Sequence, residues 1–520
     1  MHIRAQSWKH FAFYALFGAT AFFIYFSYLS GTIIHPTSGR QFPINSFARY
    51  PLSIPIFLAE TFSFLFTLYF LYNLCTDKYR PPAPKRLSGK PAVAICIPVY
   101  NEPQDVVSRT LEACNSVRWP NKTIYLLDDS RNEQSIREMR QLAAKHGATL
   151  VRRPDNKGYK AGNINNALQR AIKEEYFVIL DSDQAPSMEF LERTMDHFSD
   201  PGVFFVQTPQ HYVNDDTPLR RAAKIGTNIF YQTQCVSKAK DGALPFCGTN
   251  LVVRASMFRE LGGFRYYTST EDIELGLRAN ARGWHGVYVP EVLVTGYAPP
   301  DWRAYRSQQY RWANGNLAIL RQNWKELLWG DYSFMHQVHT FFTIAWWLIG
   351  LTTFVYILVP ILSILLRAPT HHLWLANFMI PILYLNVVMG ILMIYVALHG
   401  RTDDEVTLFD AFLQYSLIVN SIFIYASAAL NAMAKRFIGF VTTDKKGTNP
   451  GLADIKWNLA FGAVCFAISI YALYNVATAS DIQQVRTFLP ISLWLLFYSL
   501  IMASSILFVN DRHGALAVER

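Results

Sequence analysis

The apolar residues of this chain are bunched, and their spacing constrains the fold more than any other feature. A helix that crosses a bilayer needs about 20 predominantly apolar residues. Six stretches meet that requirement: His10–Leu29, Pro51–Cys75, Thr340–Leu366, Leu373–Leu398, Trp457–Val476 and Phe488–Val509. Two precede a long polar block and four follow it. A seventh stretch, Leu408–Met433, is ambiguous on length and composition alone. Of the 520 residues, 51% are hydrophobic and only 17% are charged, against about 25% charged in soluble proteins. That balance excludes a disordered chain and argues against an ordinary soluble enzyme. The net charge of +10 is modest. It fits basic cytoplasmic loops beside an anionic lipid surface and gives no reason to invoke nucleic acid.

Orientation follows from Lys and Arg in short flanking loops. Lys78, Arg80, Lys85, Arg86 and Lys90 follow the second span, and Arg401, Lys435, Arg436, Lys445 and Lys446 cluster before Trp457. Both groups are expected in the cytoplasm, with Ser30–Tyr50, Arg367–His372 and Ala477–Thr487 outside. The first span follows Arg4 and Lys9 but no small-residue cleavage site comes after it, so it reads as a retained anchor. Glu60 sits within the second span, where a carboxyl faces either a neighbouring helix or a polar conduit. The six cysteines show no CxxC pair and no zinc spacing, and none falls in an expected external loop. They are expected to be reduced or buried, without a disulfide.

The polar block alternates short β-branched runs with helical patterns. Ala92–Val99, Thr123–Leu127, Thr149–Arg152 and Tyr176–Leu180 read as strands. Val106–Ser116, Gln134–His146 and Ala161–Lys173 read as helices between them. Alternation of this kind predicts a mostly parallel sheet with its site at the carboxyl ends of the strands. No P-loop and no strand-linked GxGxxG is present.

Acidic groups stand at those strand ends. Asp181 and Asp183 flank one residue, a spacing that lets two carboxylates converge on a hard cation, Mg²⁺ or Mn²⁺, beside a diphosphate. Alone, the pattern also fits a solvated turn. Asp128 and Asp129 end the strand Thr123–Leu127. Lys160 precedes a helix and could neutralise a diphosphate, or could be an exposed loop lysine. Thr270-Glu271-Asp272 opens a helical stretch, where Thr270 reads as an N-cap and an acid fixed at a helix start can serve as a general base. Gln308, Arg311 and Trp312 share one helical face, which Trp302 and Tyr305 extend. An amphipathic helix at the membrane surface is the alternative reading of that face.

In this order and between membrane spans, these motifs closely resemble family 2 processive glycosyltransferases, the membrane-embedded synthases of cellulose, curdlan, chitin and hyaluronan. The resemblance covers roughly Ala92–Gly447. Val99-Tyr100-Asn101-Glu102 is similar to the opening motif of the family's nucleotide-sugar fold. Lys160-Ala161-Gly162-Asn163-Ile164-Asn165 resembles the KAGNxN segment of bacterial cellulose synthases. Gln207-Thr208-Pro209 and Phe246-Cys247-Gly248-Thr249 resemble the QTP and FCG motifs that lie along the acceptor sugar. Phe440–Lys445 resembles the FxVTxK gating loop, with Thr442 in place of the Val. Because that loop must reach a cytoplasmic site, Leu408–Met433 is expected to be an interfacial helix, which leaves six spans. Departures are Gln210-His211-Tyr212 after QTP, a short stretch from Gln207 to Phe246, and too few residues after Val509 for a cyclic-di-GMP-binding barrel.

The resemblance implies a GT-A-like α/β nucleotide-sugar-binding domain inserted in a transmembrane helical bundle of the cell membrane. The boundaries it implies are two spans in 1–76, the cytoplasmic transferase domain in 77–300 and amphipathic interface helices in 301–336. Two spans follow in 337–400, the interfacial helix and gating loop in 401–456, and the last two spans in 457–520. It further implies a UDP-sugar-dependent hexosyltransferase that builds a β-glucan, β-1,4 or β-1,3 linked, from UDP-glucose and passes the growing polysaccharide through its own membrane channel. Asp272 would be the base, with Glu271 beside it, and Asp183 and Asp181 would hold the metal. Glu102, Asp128, Asp129, Lys160, Cys247, Gly248, Gln308, Arg311, Trp312, Thr443 and Lys445 would contact substrates. The alternatives are a polymer containing N-acetylglucosamine, a non-processive lipid glycosyltransferase, or a transporter or scaffold with an inactive domain. Oligomeric state is not legible in the sequence.

Overall fold

The structure is a computed structural model that describes residues 53–76, 79–330, 332–366, 406–435 and 447–509. The expected spans His10–Leu29 and Leu373–Leu398 lie outside the described residues, as does Phe440–Lys445 with Thr443 and Lys445.

A helix, α1 (Ser53–Cys75), leads into the polar block. The strands β1 (Val93–Val99), β2 (Lys122–Asp128), β3 (Thr149–Arg152) and β4 (Tyr176–Ile179) alternate with α2 (Gln104–Ser116), α3 (Glu133–His146) and α4 (Tyr159–Arg170). Every residue of β1 is buried, as a central strand covered on both faces requires. Val93, Ile95, Ile97 and Val99 pack with Leu111 and Met139, and Ala94 and Cys96 pack with Phe177 and Ile164. Asn132 caps α3 by accepting from Gln134 N at 2.8 Å, and Gly147, at φ 66°, ends it.

The chain continues through β5 (Ala185–Pro186), β6 (Val203–Gln207), β7 (His211–Tyr212) and α5 (Pro218–Ile229). It then forms a π-helical turn, Phe230–Cys235, and a short helix, Val236–Lys240. Next come β8 (Leu251–Arg254), α6 (Glu271–Asn280), β9 (His285–Tyr288), β10 (Val294–Gly296) and α7 (Trp302–Trp329). The main sheet has seven strands in the order β3-β2-β1-β4-β8-β6-β9. The sheet is mostly parallel, as expected, with β8 the one strand that makes it mixed. Strand β8 runs antiparallel to both β4 and β6, because the chain enters it from the carboxyl ends of its neighbours, where Leu251 pairs with Ile179 and Gln207. A small sheet, β5-β10-β7, flanks the same end.

Beyond α7 lie α8 (Phe334–Ala345), α9 (Ile349–Leu365), α10 (Leu408–Asn420), α11 (Ile422–Met433), α12 (Lys456–Ala477) and α13 (Ile482–Ala503). Among the described residues five helical stretches are long and apolar enough to cross a membrane, Leu408–Met433 being one. That stretch is broken at Ser421 and tied to α7 by polar contacts. Tyr425 OH donates to Gln309 Oε1 at 3.0 Å, Asn431 Nδ2 to Tyr310 OH at 2.8 Å and Asn314 Nδ2 to the Ala428 carbonyl at 3.2 Å. Helix α12 instead exposes Val464, Phe466, Ile470 and Tyr474. No disulfide joins any of the six cysteines, all of which are described.

Buried polar side chains join the block to the apolar helices. His339 of α8, fully buried, pairs through Nε2 with Asp241 Oδ2 at 2.9 Å and through Nδ1 with Tyr69 OH at 3.2 Å. Tyr72 OH donates to the same Asp241 oxygen at 2.7 Å. His339→Phe keeps a ring but removes both bonds. The expected cost is about 1–3 kcal/mol, seen as a thermal unfolding midpoint several degrees lower in detergent. An unchanged midpoint would mean that the junction does not depend on this pair.

Candidate active site

The carboxyl ends of the strands open into a cavity of about 1440 Å³. From β4 the chain passes to Asp181 and Asp183, both on its wall. Lys160 reaches across from the first turn of α4. Its Nζ lies 2.5 Å from Asp181 Oδ1 and donates to the Gly248 carbonyl at 3.0 Å. The turn that presents Lys160 holds Gly158 and Tyr159 at φ 74° and 49°, in the left-handed region. Glu102 borders the cavity and accepts from the Tyr100 amide.

The two acids at the end of β2 part company. Asp129 borders the cavity but is clamped by Arg153, with Nε at 2.8 Å and Nη2 at 2.6 Å. Asp128 is fully buried and pairs with Arg152, its register partner on β3. Asp128 is absent from the cavity wall, so its position is that of a strand-end tie. Arg152 and Arg153, which complete these pairs, were not singled out in the sequence, although two arginines ending a strand beside two aspartates were the available signal.

Gln207 is also placed differently from the expectation that QTP lies along the acceptor. It is fully buried. Its Nε2 donates to the carbonyls of Thr208 and Thr249 at 2.9 and 2.8 Å, and its Oε1 accepts from Cys247 N at 3.1 Å. It therefore holds the Phe246–Thr249 loop, whose Cys247 and Thr249 do face the cavity. Gly248 stands at φ +70°, and a Cβ there would lie 2.6 Å from Asp272 Oδ2. Only a glycine permits that approach of backbone to carboxylate.

Glu271 and Asp272 open α6 and border the cavity. Thr270 does not cap this helix as expected. Its hydroxyl turns to Thr268 Oγ1 at 3.2 Å, and Asp272 Oδ1 itself accepts from Ile273 N at 2.9 Å. Enclosure by protein raises the pKa of Asp272, opposed by Lys160 and Arg311. Enclosure and then the neighbouring Asp272 raise Glu271 to about 7. Gln308, Arg311 and Trp312 present the expected shared face to the same cavity. Burial lowers the Arg311 pKa, opposed by Glu271, Asp181 and Asp272. Trp302 lies elsewhere, stacked on Phe508 at 6.0 Å. Tyr212, which the sequence marks only as a departure after QTP, is buried on the cavity wall that Gln308 also lines.

Among the described residues no cluster of three or more His, Cys, Asp or Glu would cage an ion by itself. Two strand-end carboxylates on a cavity wall are nevertheless the donor set of a hard cation that completes its shell with substrate phosphates. Asp181 and Asp183 fit that requirement.

Residues 91–315 match the family described as "Glycosyltransferase like family 2". The matched segment takes in the seven-stranded sheet and the cavity residues from Val99 to Trp312, and resembles that family. The chain is also 32% identical over 287 residues to cellulose synthase 2 of Novacetimonas hansenii, an alignment that covers 52% of this chain and 17% of that protein. It is 31% identical over 283 residues to the cellulose synthase 1 catalytic subunit of Komagataeibacter xylinus, covering 52% of this chain and 37% of that one. The chain is therefore similar in sequence to bacterial cellulose synthases over about half of its length, while the alignment spans well under half of either relative. Among solved structures, a mannosyltransferase of Pyrobaculum calidifontis, in complex with GDP-Man and Mn²⁺, is 17% identical with a TM-score of 0.49, covering 74% of this chain and 99% of that one.

The Gly248 approach yields a test. Gly248→Ala places a methyl against Asp272 in a backbone conformation that alanine resists. Displacement of a reacting group by about an ångström can cost ~10²-fold, so sugar transfer is expected to fall by that order while the protein remains folded by circular dichroism. Wild-type transfer rates in this variant would show that Asp272 is not held by the loop.

Proposed function

We propose that the chain is a processive, inverting, UDP-sugar-dependent hexosyltransferase. It polymerises a β-glucan, β-1,4 or β-1,3 linked, from UDP-glucose and passes it across the cell membrane. The observation that carries this reading is the continuity of one cavity. It extends from Glu102 and Asp183 at the strand ends, past Asp272 and Trp312, to Phe66, Phe342 and Trp346 on the apolar helices α1 and α8 and the turn that follows α8. A soluble acceptor needs no such extension, whereas a polymer that leaves as it grows does.

In the proposed reaction the Asp272 carboxylate accepts the proton of the acceptor hydroxyl. That oxygen attacks the anomeric carbon from the face opposite the diphosphate, and the bond from that carbon to the diphosphate oxygen breaks. Displacement from an α-linked donor gives a β-linked product. Lys160 and Arg311 supply positive charge beside the departing diphosphate, stabilisation that is strong in an enclosed site. Trp312 orients the acceptor by stacking on its ring. When bound, Mg²⁺ or Mn²⁺ held by Asp181 and Asp183 would further offset charge on the leaving group. The polar ties of Leu408–Met433 to α7 support its reading as an interfacial element, with residues 77–300 on the cytoplasmic side.

Three outcomes test this reading. Asp272→Asn is expected to bind UDP normally and lose transfer by about 10²–10⁴-fold, the usual contribution of a general base. Retention of more than a tenth of the wild-type rate would assign the base elsewhere. Because burial raises the Asp272 pKa, its basic form is lost as pH falls through a value above the ordinary aspartate one. The transfer rate should therefore decline on the acid side at a higher pH than a solvent-exposed aspartate would give, and a flat profile down to pH 4 would contradict this. Chelation by EDTA should abolish transfer and added Mg²⁺ or Mn²⁺ should restore it; undiminished activity in EDTA would remove the metal from the scheme.

A further inference from the structure

Lys238 lies in the short helix that follows the π-helical turn. It is fully buried, yet it borders the cavity together with Phe230, Tyr231, Gln234 and Cys247. An ammonium carries three N–H donors. Gln234 Oε1 accepts one at 3.1 Å, and the face of the Phe230 ring lies 4.9 Å from Nζ. No carboxylate among the described residues pairs with it; Asp241, three residues on, is engaged by Tyr72 and His339 instead. Burial lowers its pKa to about 8, with the Cys235 and Cys247 thiols opposing. A charge removed from water without full compensation is costly, and neither the domain junction nor the reacting centre described above uses this one.

Its position shows what the remaining donor can meet. Cys247 adjoins Gly248, which touches Asp272, so this wall begins beside the base. The short helix that carries Lys238 packs against α1, and Ser237 Oγ accepts from Thr76 Oγ1 just beyond that helix. Lys238 therefore stands along the passage between the reacting centre and the membrane side. Its neighbours are an amide, two aromatic rings and a thiol, a neutral surface suited to a sugar ring. A hydroxyl oxygen is the acceptor that a neutral sugar brings.

We propose that Lys238 is an acceptor-binding residue whose ammonium donates a hydrogen bond to a hydroxyl oxygen of a neutral sugar chain, at a unit behind the one being extended. This inference rests on the reading of the cavity as the seat of a growing polysaccharide. It deepens that reading by naming a contact that would fix the register of the chain.

The test is direct binding, so that it does not depend on catalysis. The whole chain in detergent is titrated calorimetrically with cellohexaose, with laminarihexaose, with a uronate-containing oligosaccharide and with UDP. Lys238→Met keeps the length of the stem and removes every donor. Because it also removes a buried charge, it should unfold at no lower temperature than the wild type. Its affinity for the preferred neutral hexamer should fall by about tenfold or more, the worth of a hydrogen bond to a charged group, while UDP binds unchanged. Lys238→Gln retains a neutral donor and should show an intermediate loss. Wild-type hexamer affinity in both variants would overturn the proposal. So would a parallel loss of hexamer and UDP binding with a lowered unfolding midpoint, which marks a structural role. A wild-type protein that binds only the uronate chain, or no oligosaccharide, also overturns it. A protein that binds the hexamer through Lys238 but transfers nothing from UDP-glucose would instead defeat the donor assignment and leave Lys238 in place.

Discussion

The side chain of Gln207 determines where one wall of the site stands. It is a single buried carboxamide at the end of β6, and it satisfies backbone groups of Cys247, Thr208 and Thr249 at once. The loop it grips has no regular structure of its own between Phe246 and β8. Without that grip, three buried backbone groups would lose partners at about 1–3 kcal/mol each. The loop in turn presents the Gly248 carbonyl to Lys160 and its α-carbon to Asp272. The cation that faces the strand-end acids and the acid that opens α6 are thus both referred to one amide in the sheet.

The electrostatics of the site follow from enclosure. Asp181, Glu271 and Asp272 share one cavity wall with Lys160 and Arg311. Burial pushes Glu271, Asp272 and Arg311 toward their neutral forms, and charges of opposite sign draw them back. Such a set is poorly satisfied by itself and is held by the surrounding fold, the usual relation between a reactive site and the stability of its scaffold. The pairs at Asp128 and Asp129 differ. There Arg152 comes from the adjacent strand in register and Arg153 directly follows it, and the geometry is that of a fixed joint.

Much of this was legible in the chain. Strand β3 begins and ends at the residues expected, and β1, β2 and β4 differ by a residue at one or both ends, because buried central strands are written as continuous apolar runs. The acids at the ends of β2 and β4 were legible because a strand terminates where its apolar run does. What the chain did not disclose are relations between segments. The direction of β8 depends on the side from which the Phe246–Thr249 loop delivers it. Gln207 looked like a ligand residue because it sits in a motif, whereas its neighbours in space make it a brace. Lys238 carried no signal, since one lysine in a helix is ordinary until its burial is known. Trp302 and Trp312 share a helix, but their partners, Phe508 and the cavity, lie in different directions.

Gly315 sits on α7, four residues beyond Arg311 and three beyond Trp312. A Cβ there would stand 2.7 Å from both Ser269 Oγ and Thr270 Oγ1, while Ser269 Oγ donates to the Arg311 carbonyl at 2.8 Å. The helix that bears the stacking tryptophan and the loop that bears the acid therefore meet with no side chain on the helix side, the loop's Ser269 and Thr270 hydroxyls lying against the Gly315 backbone. Any larger residue at this position would act as a shim, setting the gap between ring and carboxylate by its own thickness. Position 315 is thus a mechanical adjustment screw for the site, closed here to its shortest setting.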